Sequence, residues 1–315
     1  MKSKRILILS GLVAATAIGA GIWFTANHNS PGKAALDHTG EILNFGPRPP
    51  ASDALKLVRA YVMTKLSAYG WIVTEQSFER ITPVGTVHFT NLRARFPNPG
   101  ETNPWPRPVE GILSAHIDSK PSKDNLFVGA DDSASCVGAI LEIARILATS
   151  QPDQARRIEL AFFDGEEALS GEMTSDEGPI PTDGLWGSRA YANLWRSASQ
   201  KPRFGILLDM VGHKNLSIRL PGDTPAFLKT ACLDAATKEN ARDHFGMSPR
   251  PTIGDDHVPI NMVGIPTIDI CGYYDEFPWW HTAGDNFDNL SADSLDISVR
   301  VTLRMIGDLL EKPER

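Results

Sequence analysis

Ile158-Glu159-Leu160-Ala161-Phe162-Phe163-Asp164-Gly165-Glu166-Glu167 reads as a buried strand that empties, through an Asp-Gly turn, into two adjacent acids. An apolar run of this length bounded by a turn signal fits a strand covered on both faces. Two carboxylates at its exit would repel each other and would be costly to desolvate without a positive partner. A divalent cation bound to one of them answers that problem and leaves the other poised as a base. The plain alternative is a solvated Glu pair opening a helix, where the dipole favours acids. What decides between these readings is whether other segments deliver similar side chains.

They do. Gly111-Ile112-Leu113-Ser114-Ala115 leads to His116 and Asp118, and Phe204-Gly205-Ile206-Leu207-Leu208 leads to Asp209. Gly129-Ala130-Asp131-Asp132-Ser133-Ala134 runs into a helical pattern, and Ile265-Pro266-Thr267-Ile268-Asp269-Ile270 is followed by Phe277-Pro278-Trp279-Trp280 and His281. In open α/β sheets the site lies beyond the carboxyl ends of the strands, so residues far apart in sequence converge there. Two His with several Asp and Glu, and no Cys, suit Zn²⁺ in an open catalytic site better than in a closed structural one. Strands and helices alternate after residue 109, with helical patterns at 54–68, 136–148, 225–239 and 292–310. A meander near 74–96 supplies antiparallel edge strands. The expected architecture is therefore α/β: one domain with a mixed, mostly parallel central sheet flanked by helices.

On these residues the chain resembles the glutaminyl-peptide cyclotransferases (glutaminyl cyclases), which share their fold with zinc aminopeptidases. The matching stretches are His116-Ile117-Asp118-Ser119-Lys120, Phe127-Val128-Gly129-Ala130-Asp131-Asp132-Ser133-Ala134 and Phe162-Phe163-Asp164-Gly165-Glu166-Glu167-Ala168. Gly187-Ser188-Arg189, Leu207-Leu208-Asp209, Asp255-Asp256-His257-Val258-Pro259, Trp280-His281-Thr282 and Asp285-Asn286 follow in order. The similarity runs from about residue 36 to the C-terminus. The Phe-Phe-Asp-Gly-Glu-Glu-Ala and Asp-Asp-His-x-Pro stretches are specific to the cyclase side.

The resemblance implies an aminoacyl-transferring acyltransferase that converts the N-terminal Gln of a peptide or protein to pyroglutamate with loss of ammonia. It makes Asp132, Glu167 and His281 the Zn²⁺ ligands and Glu166 the proton shuttle. Asp209 and Asp255 form an acid network with Glu166. Phe277 and Trp280 wall the pocket for the Gln methylenes, and His257 supports the substrate site. The family also implies a cis peptide at Asp132–Ser133. His116 with Asp209 completes the ligand set of a two-zinc aminopeptidase, Asp132 bridging. One Zn²⁺ is expected here, because a second would compete with the network that must bind an amine.

Two departures stand out. Animal cyclases carry a Trp a few residues beyond the acid pair, where this chain reads Ser170-Gly171-Glu172-Met173. That aromatic wall is expected to be missing or to come from elsewhere, such as Trp186 or Trp279. The disulfide of animal cyclases is also absent, since Ala115 stands where one partner is expected, and Cys136, Cys232 and Cys271 are read as structural thiols. Two other functions compete with the cyclase: a zinc aminopeptidase using Glu166 to activate water, and a catalytically silent exported binding module, against which the intact acid set argues.

Composition agrees with an exported enzyme. Hydrophobic residues make up 42% and charged ones 22%, enough for a full core. The net charge of −7 lacks the basic face that nucleic acid requires. Lys2, Lys4 and Arg5 precede an apolar stretch from Ile6 to about Ala26, close to the ~20 residues that span a bilayer. Residues 1–30 are thus a membrane anchor or signal peptide, the anchor preferred because the stretch exceeds an ordinary signal core. It would place the catalytic domain, residues 31–315, on the periplasmic or extracellular side, with no other membrane contact. That domain is expected to be a monomer. Pro97, Pro99, Pro104, Pro106 and Pro108 mark a stiff surface connection, and Ser170 to Asp183 is expected to rim the active site.

Overall fold

The computed structural model describes residues 30–123, 126–173, 181–273 and 278–311. The leader at 1–30 therefore lies, but for Ser30, outside the described residues, as does Phe277.

The chain opens with α1 (Pro31–Leu43) and α2 (Asp53–Ala68). Ser30 and Ser52 cap them, accepting from the backbone N–H of Lys33 and Leu55. A long antiparallel hairpin follows, β1 (Ile72–Thr82) and β2 (Gly85–Arg95). Next come β3 (Gly111–His116), α3 (Cys136–Ser150), the short α4 (Pro152–Ala155), β4 (Ile158–Phe163) and α5 (Trp186–Trp195). The chain continues through β5 (Phe204–Asp209), β6 (Ile218–Leu220), α6 (Ala226–Lys238) and β7 (Phe245–Met247). It ends with α7 (His257–Met262), β8 (Thr267–Cys271) and α8 (Ala292–Glu311).

The main sheet has the order β1-β2-β4-β3-β5-β8. β4, β3, β5 and β8 pair in parallel, while β1 and β2 form the antiparallel edge. This is the mixed α/β sheet expected. α1, α5 and α7 were not anticipated, and the last spans only six residues. Both faces of β3 and β4 are covered, so every residue of each is buried.

One charge interrupts the apolar run of β4. Glu159 is fully buried, yet Arg93 Nε (2.7 Å), Arg95 Nε (2.6 Å) and the Tyr191 hydroxyl (3.0 Å) all donate to it. Arg95 also binds the carbonyls of Pro104 and Trp105, which ties down the proline-rich connection. Among the described residues only 130–150 form a helix long and apolar enough to cross a membrane, and 72% of its apolar window is buried in the fold. It is a core helix.

Candidate active site

The site lies where the parallel strands end. β4 leaves the sheet at Asp164, and Gly165 turns the chain with a φ of +81°. A Cβ there would lie 2.4 Å from the Phe89 ring, so only glycine fits. The next two peptide N–H groups, of Glu166 and Glu167, donate to the two oxygens of Asp118 at 3.2 and 3.4 Å. Asp118, from the turn after β3, thus orients the acid pair.

Asp132 arrives differently. It is not at a strand end but in an irregular turn before α3, and its peptide bond to Ser133 is cis. Asp285 accepts the N–H of Asp131 at 2.8 Å and of Asp132 at 3.2 Å, fixing the turn from the far side. Gly129 begins it in a left-handed conformation, and a Cβ would fall 2.0 Å from the Asp132 carbonyl. Arg48, fully buried, donates to the carbonyls of Ile117 (3.0 Å), Val128 and Gly129 (2.9 Å). One side chain therefore joins the turn carrying Asp118 to the turn carrying Asp132.

Asp132 stands between two imidazoles. His116 Nε2 is 3.0 Å from its Oδ1 and 3.5 Å from Asp209 Oδ1. His281 Nε2 is 3.5 Å from Asp132 Oδ2 and 3.5 Å from Glu167 Oε2. Spacings near 3.5 Å are long for hydrogen bonds. They match the ~3.3 Å edge of a tetrahedron drawn around a cation with bonds of about 2.0–2.1 Å. Two trios, Asp132–Glu167–His281 and His116–Asp132–Asp209, each offer donor atoms within 4.8 Å of one another. Glu167 Oε1, Asp209 Oδ1 and His116 Nδ1 are buried without hydrogen-bond partners among the described residues.

Electrostatics point the same way. Burial drives the Glu166 carboxyl well above its ordinary range, and Glu167, Asp255 and Asp256 reinforce it against the pull of His116. Burial and the Asp132 charge raise Glu167 to about 7, and burial with Asp209 raises Asp255 to about 7. Burial would lower His281, but Asp132 and Glu167 hold it at about 8. Burial also opposes ionisation of Asp132, yet the His116 and His281 imidazoles beside it keep it below the usual range. The donor set, its spacing and its uncompensated charge all fit a divalent ion.

These residues line a cavity of about 670 Å³. Asp132, Glu166, Glu167, Asp209, Asp255, Trp280 and His281 reach its wall, with His116 packed directly behind. His257, expected at the substrate, is not on that wall. It is 2% exposed behind Asp255, with Nδ1 3.8 Å from Asp269 and Nε2 3.6 Å from Asp223. Of the two alternatives for the absent Trp, replacement by Trp186 or Trp279 is not what the structure has. Trp186 stacks on Phe89 and bonds Asp183, Trp279 stacks on His213, and neither reaches the cavity. Met173 and Pro181 from the Ser170–Asp183 loop line it instead, so the described ends of that loop rim the site. Lys120, Glu172 and Arg250 also line the cavity and were missed. Lys120 stood inside a quoted motif, but nothing local marked it as facing the acids.

Comparison with known proteins agrees with this geometry. The model of peptidase family M28 matches residues 98–306. The glutaminyl-peptide cyclotransferase of Bothrops jararaca is 30% identical, over 79% of this chain and 74% of that protein. The crystal structure of Bacteroides thetaiotaomicron glutaminyl cyclase bound to N-acetylhistamine superposes with a TM-score of 0.74 at 29% identity, covering 88% of this chain and 99% of that one. A Zn-dependent exopeptidase from Parabacteroides distasonis gives 0.73 at 27% identity, covering 87% and 97%. The chain belongs to peptidase family M28, among its glutaminyl-peptide cyclotransferases.

Proposed function

We propose that this protein cyclises the N-terminal Gln of peptides or proteins, with one Zn²⁺ held by Asp132, Glu167 and His281. Zn²⁺ bound there would supply a Lewis acid for the γ-carbonyl oxygen of the substrate. Asp209 and Asp255, on the cavity wall, receive the α-amine and orient it toward the side-chain amide. Glu166 takes a proton from the attacking amine and returns it to the departing nitrogen. One C–N bond forms, the other breaks, and ammonia leaves. Burial of Glu166 supports this role, because a raised pKa brings a carboxylate closer to the proton affinities it must exchange with. Trp280, stacked at 3.8 Å on His281, walls the methylenes. His257 supports Asp255 from behind. We further read residues 1–30 as the device that exports residues 31–315, and the enzyme as a monomer.

The observation that carries this reading is the set of Glu166, Asp209 and Asp255 facing one cavity beside the Asp132–Glu167–His281 trio. The second trio around His116 keeps a two-metal aminopeptidase as the competing reading. Incubation of the purified protein with Gln-Xaa and Leu-Xaa peptides, followed by mass analysis, separates them. Loss of ammonia without chain cleavage is the expected result, and release of a free amino acid would overturn it.

A further inference from the structure

The cavity holds a group of cation-type donors that the proposed reaction does not use as ligands. Asp209 and Cys271 close the adjacent parallel strands β5 and β8 and are partners in register, so the pairing itself brings their side chains together. Cys271 Sγ lies 3.6 Å from Asp209 Oδ2. Asp255 arrives from the turn before α7, and one donor atom from each of the three lies within 4.8 Å of the others. All three line the cavity. Asp255 is 3% exposed, and its Oδ2 meets no hydrogen-bond donor among the described residues. Asp209 presents its other oxygen, Oδ1, to His116 at 3.5 Å, so this group uses the opposite edge of the same carboxylate.

The spacing has a chemical meaning. A tetrahedral cation with a sulfur bond of about 2.3 Å and an oxygen bond of about 2.0 Å separates those two ligands by about 3.5 Å. One thiol with two carboxylates favours a cation that accepts sulfur, such as Zn²⁺ or Cd²⁺, over Mg²⁺ or Ca²⁺. We propose that Cys271, Asp209 and Asp255 form a second cation seat in the cavity, and that a soft divalent ion bound there inhibits the enzyme. As the sulfur–metal bond forms, the Cys271 thiol gives up its proton to solvent, and with it the hydrogen bonds it offers to Asp209 Oδ2 and to the Gly272 carbonyl. The inhibitory half rests on the cyclase reading, in which Asp209 and Asp255 must be free to hold the substrate amine. The seat itself does not.

The test uses the full chain with its resident zinc, titrated separately with CdCl₂ and ZnCl₂. Cadmium in the seat produces the ultraviolet charge-transfer band of a cadmium–thiolate bond. Cadmium that merely replaced zinc at Asp132, Glu167 and His281 would produce none, since no thiol is there. The band is expected in the wild type and absent in Cys271→Ser and Cys271→Ala, while Cys136 and Cys232 remain in both. Excess Zn²⁺ should slow wild-type turnover, with each variant needing at least about tenfold more. Circular dichroism and resident zinc content confirm that the variants are folded. A wild type without the band, or a band that survives both substitutions, overturns the seat. An unaltered zinc inhibition profile in folded variants overturns its inhibitory role. A wild type that gives the band yet cyclises no Gln peptide refutes the function and leaves the seat standing.

Discussion

The Nδ1 of His281 lies 3.0 Å from Glu172 Oε2, so a single surface carboxylate determines which imidazole nitrogen faces Asp132 and Glu167. Glu172 also sits 3.3 Å from Lys120, whose ammonium is 3.6 Å from Glu167. The rim of the cavity is thereby wired to its metal-type acids.

From that pairing follows the first expectation. Glu172→Ala removes the acceptor for Nδ1–H and frees the ring, which should weaken zinc binding by about 10–100-fold. The side chain of Glu172 is 61% exposed, so the fold should not suffer. Competition with a chromogenic chelator reads the affinity directly. An unchanged value would mean that the ring contacts of His281 with Trp280 and Phe127 hold it without Glu172.

Glu166 and Glu167 are adjacent and identical, yet different work is assigned to them. Glu167→Gln deletes an anionic ligand and should lower zinc content and turnover together. Glu166→Gln should keep the metal and lose the proton shuttle, so kcat falls by about 10²–10⁴ with little change in KM. Zinc analysis and kinetics on both variants test the division. Loss of zinc from Glu166→Gln would reverse it.

Metal content offers an independent check. After dialysis we expect one tightly held zinc per chain, with His116 and Asp209 not retaining a second. Stripping that ion should abolish cyclisation and lower the Tm, because a ligand bound only by the native state stabilises it. One equivalent of Zn²⁺ should restore both. Two tightly held ions per chain would favour the aminopeptidase instead.

The acids also set a pH dependence. Asp164 is raised to about 8 by burial and by Asp118, against the Thr90 N–H and Arg59. Between its unfolded pKa near ~3.9 and 8 the native state holds a proton that the unfolded chain has released. Stability therefore falls as pH rises through that window, at no more than about 1.4 kcal/mol per pH unit for this group. Metal-free protein should melt at a lower temperature at pH 8 than at pH 5, and Asp164→Asn should flatten the slope. Thermal melts of the two proteins across that range decide it. A slope unchanged by the substitution would assign the effect to the cavity acids instead.

How much of this could be read from the chain alone depended on how local each signal was. The strand of Ile158–Phe163, the turn at Gly165 and the helices near 54–68 and 292–310 rest on periodicity and turn chemistry within a dozen residues, and they appear where expected. The cis bond at Asp132–Ser133 was implied by the family resemblance and not by any local signal. By contrast, α1 was missed, as were the support of Glu166 and Glu167 by Asp118 and the grip of Asp285 on the Asp132 turn.

By itself the sequence determined which side chains the parallel strands and the connecting turns present to one end of the sheet, since alternation, turn residues and chain order are properties of neighbours. Only the tertiary structure decided which of them share a wall. It withdrew His257 behind Asp255, kept Trp186 and Trp279 away from the cavity, and brought in Met173, Lys120 and Glu172. The physical reason is that burial and ion pairing act between residues as remote as Glu172 and His281, whose approach depends on the path of every intervening loop.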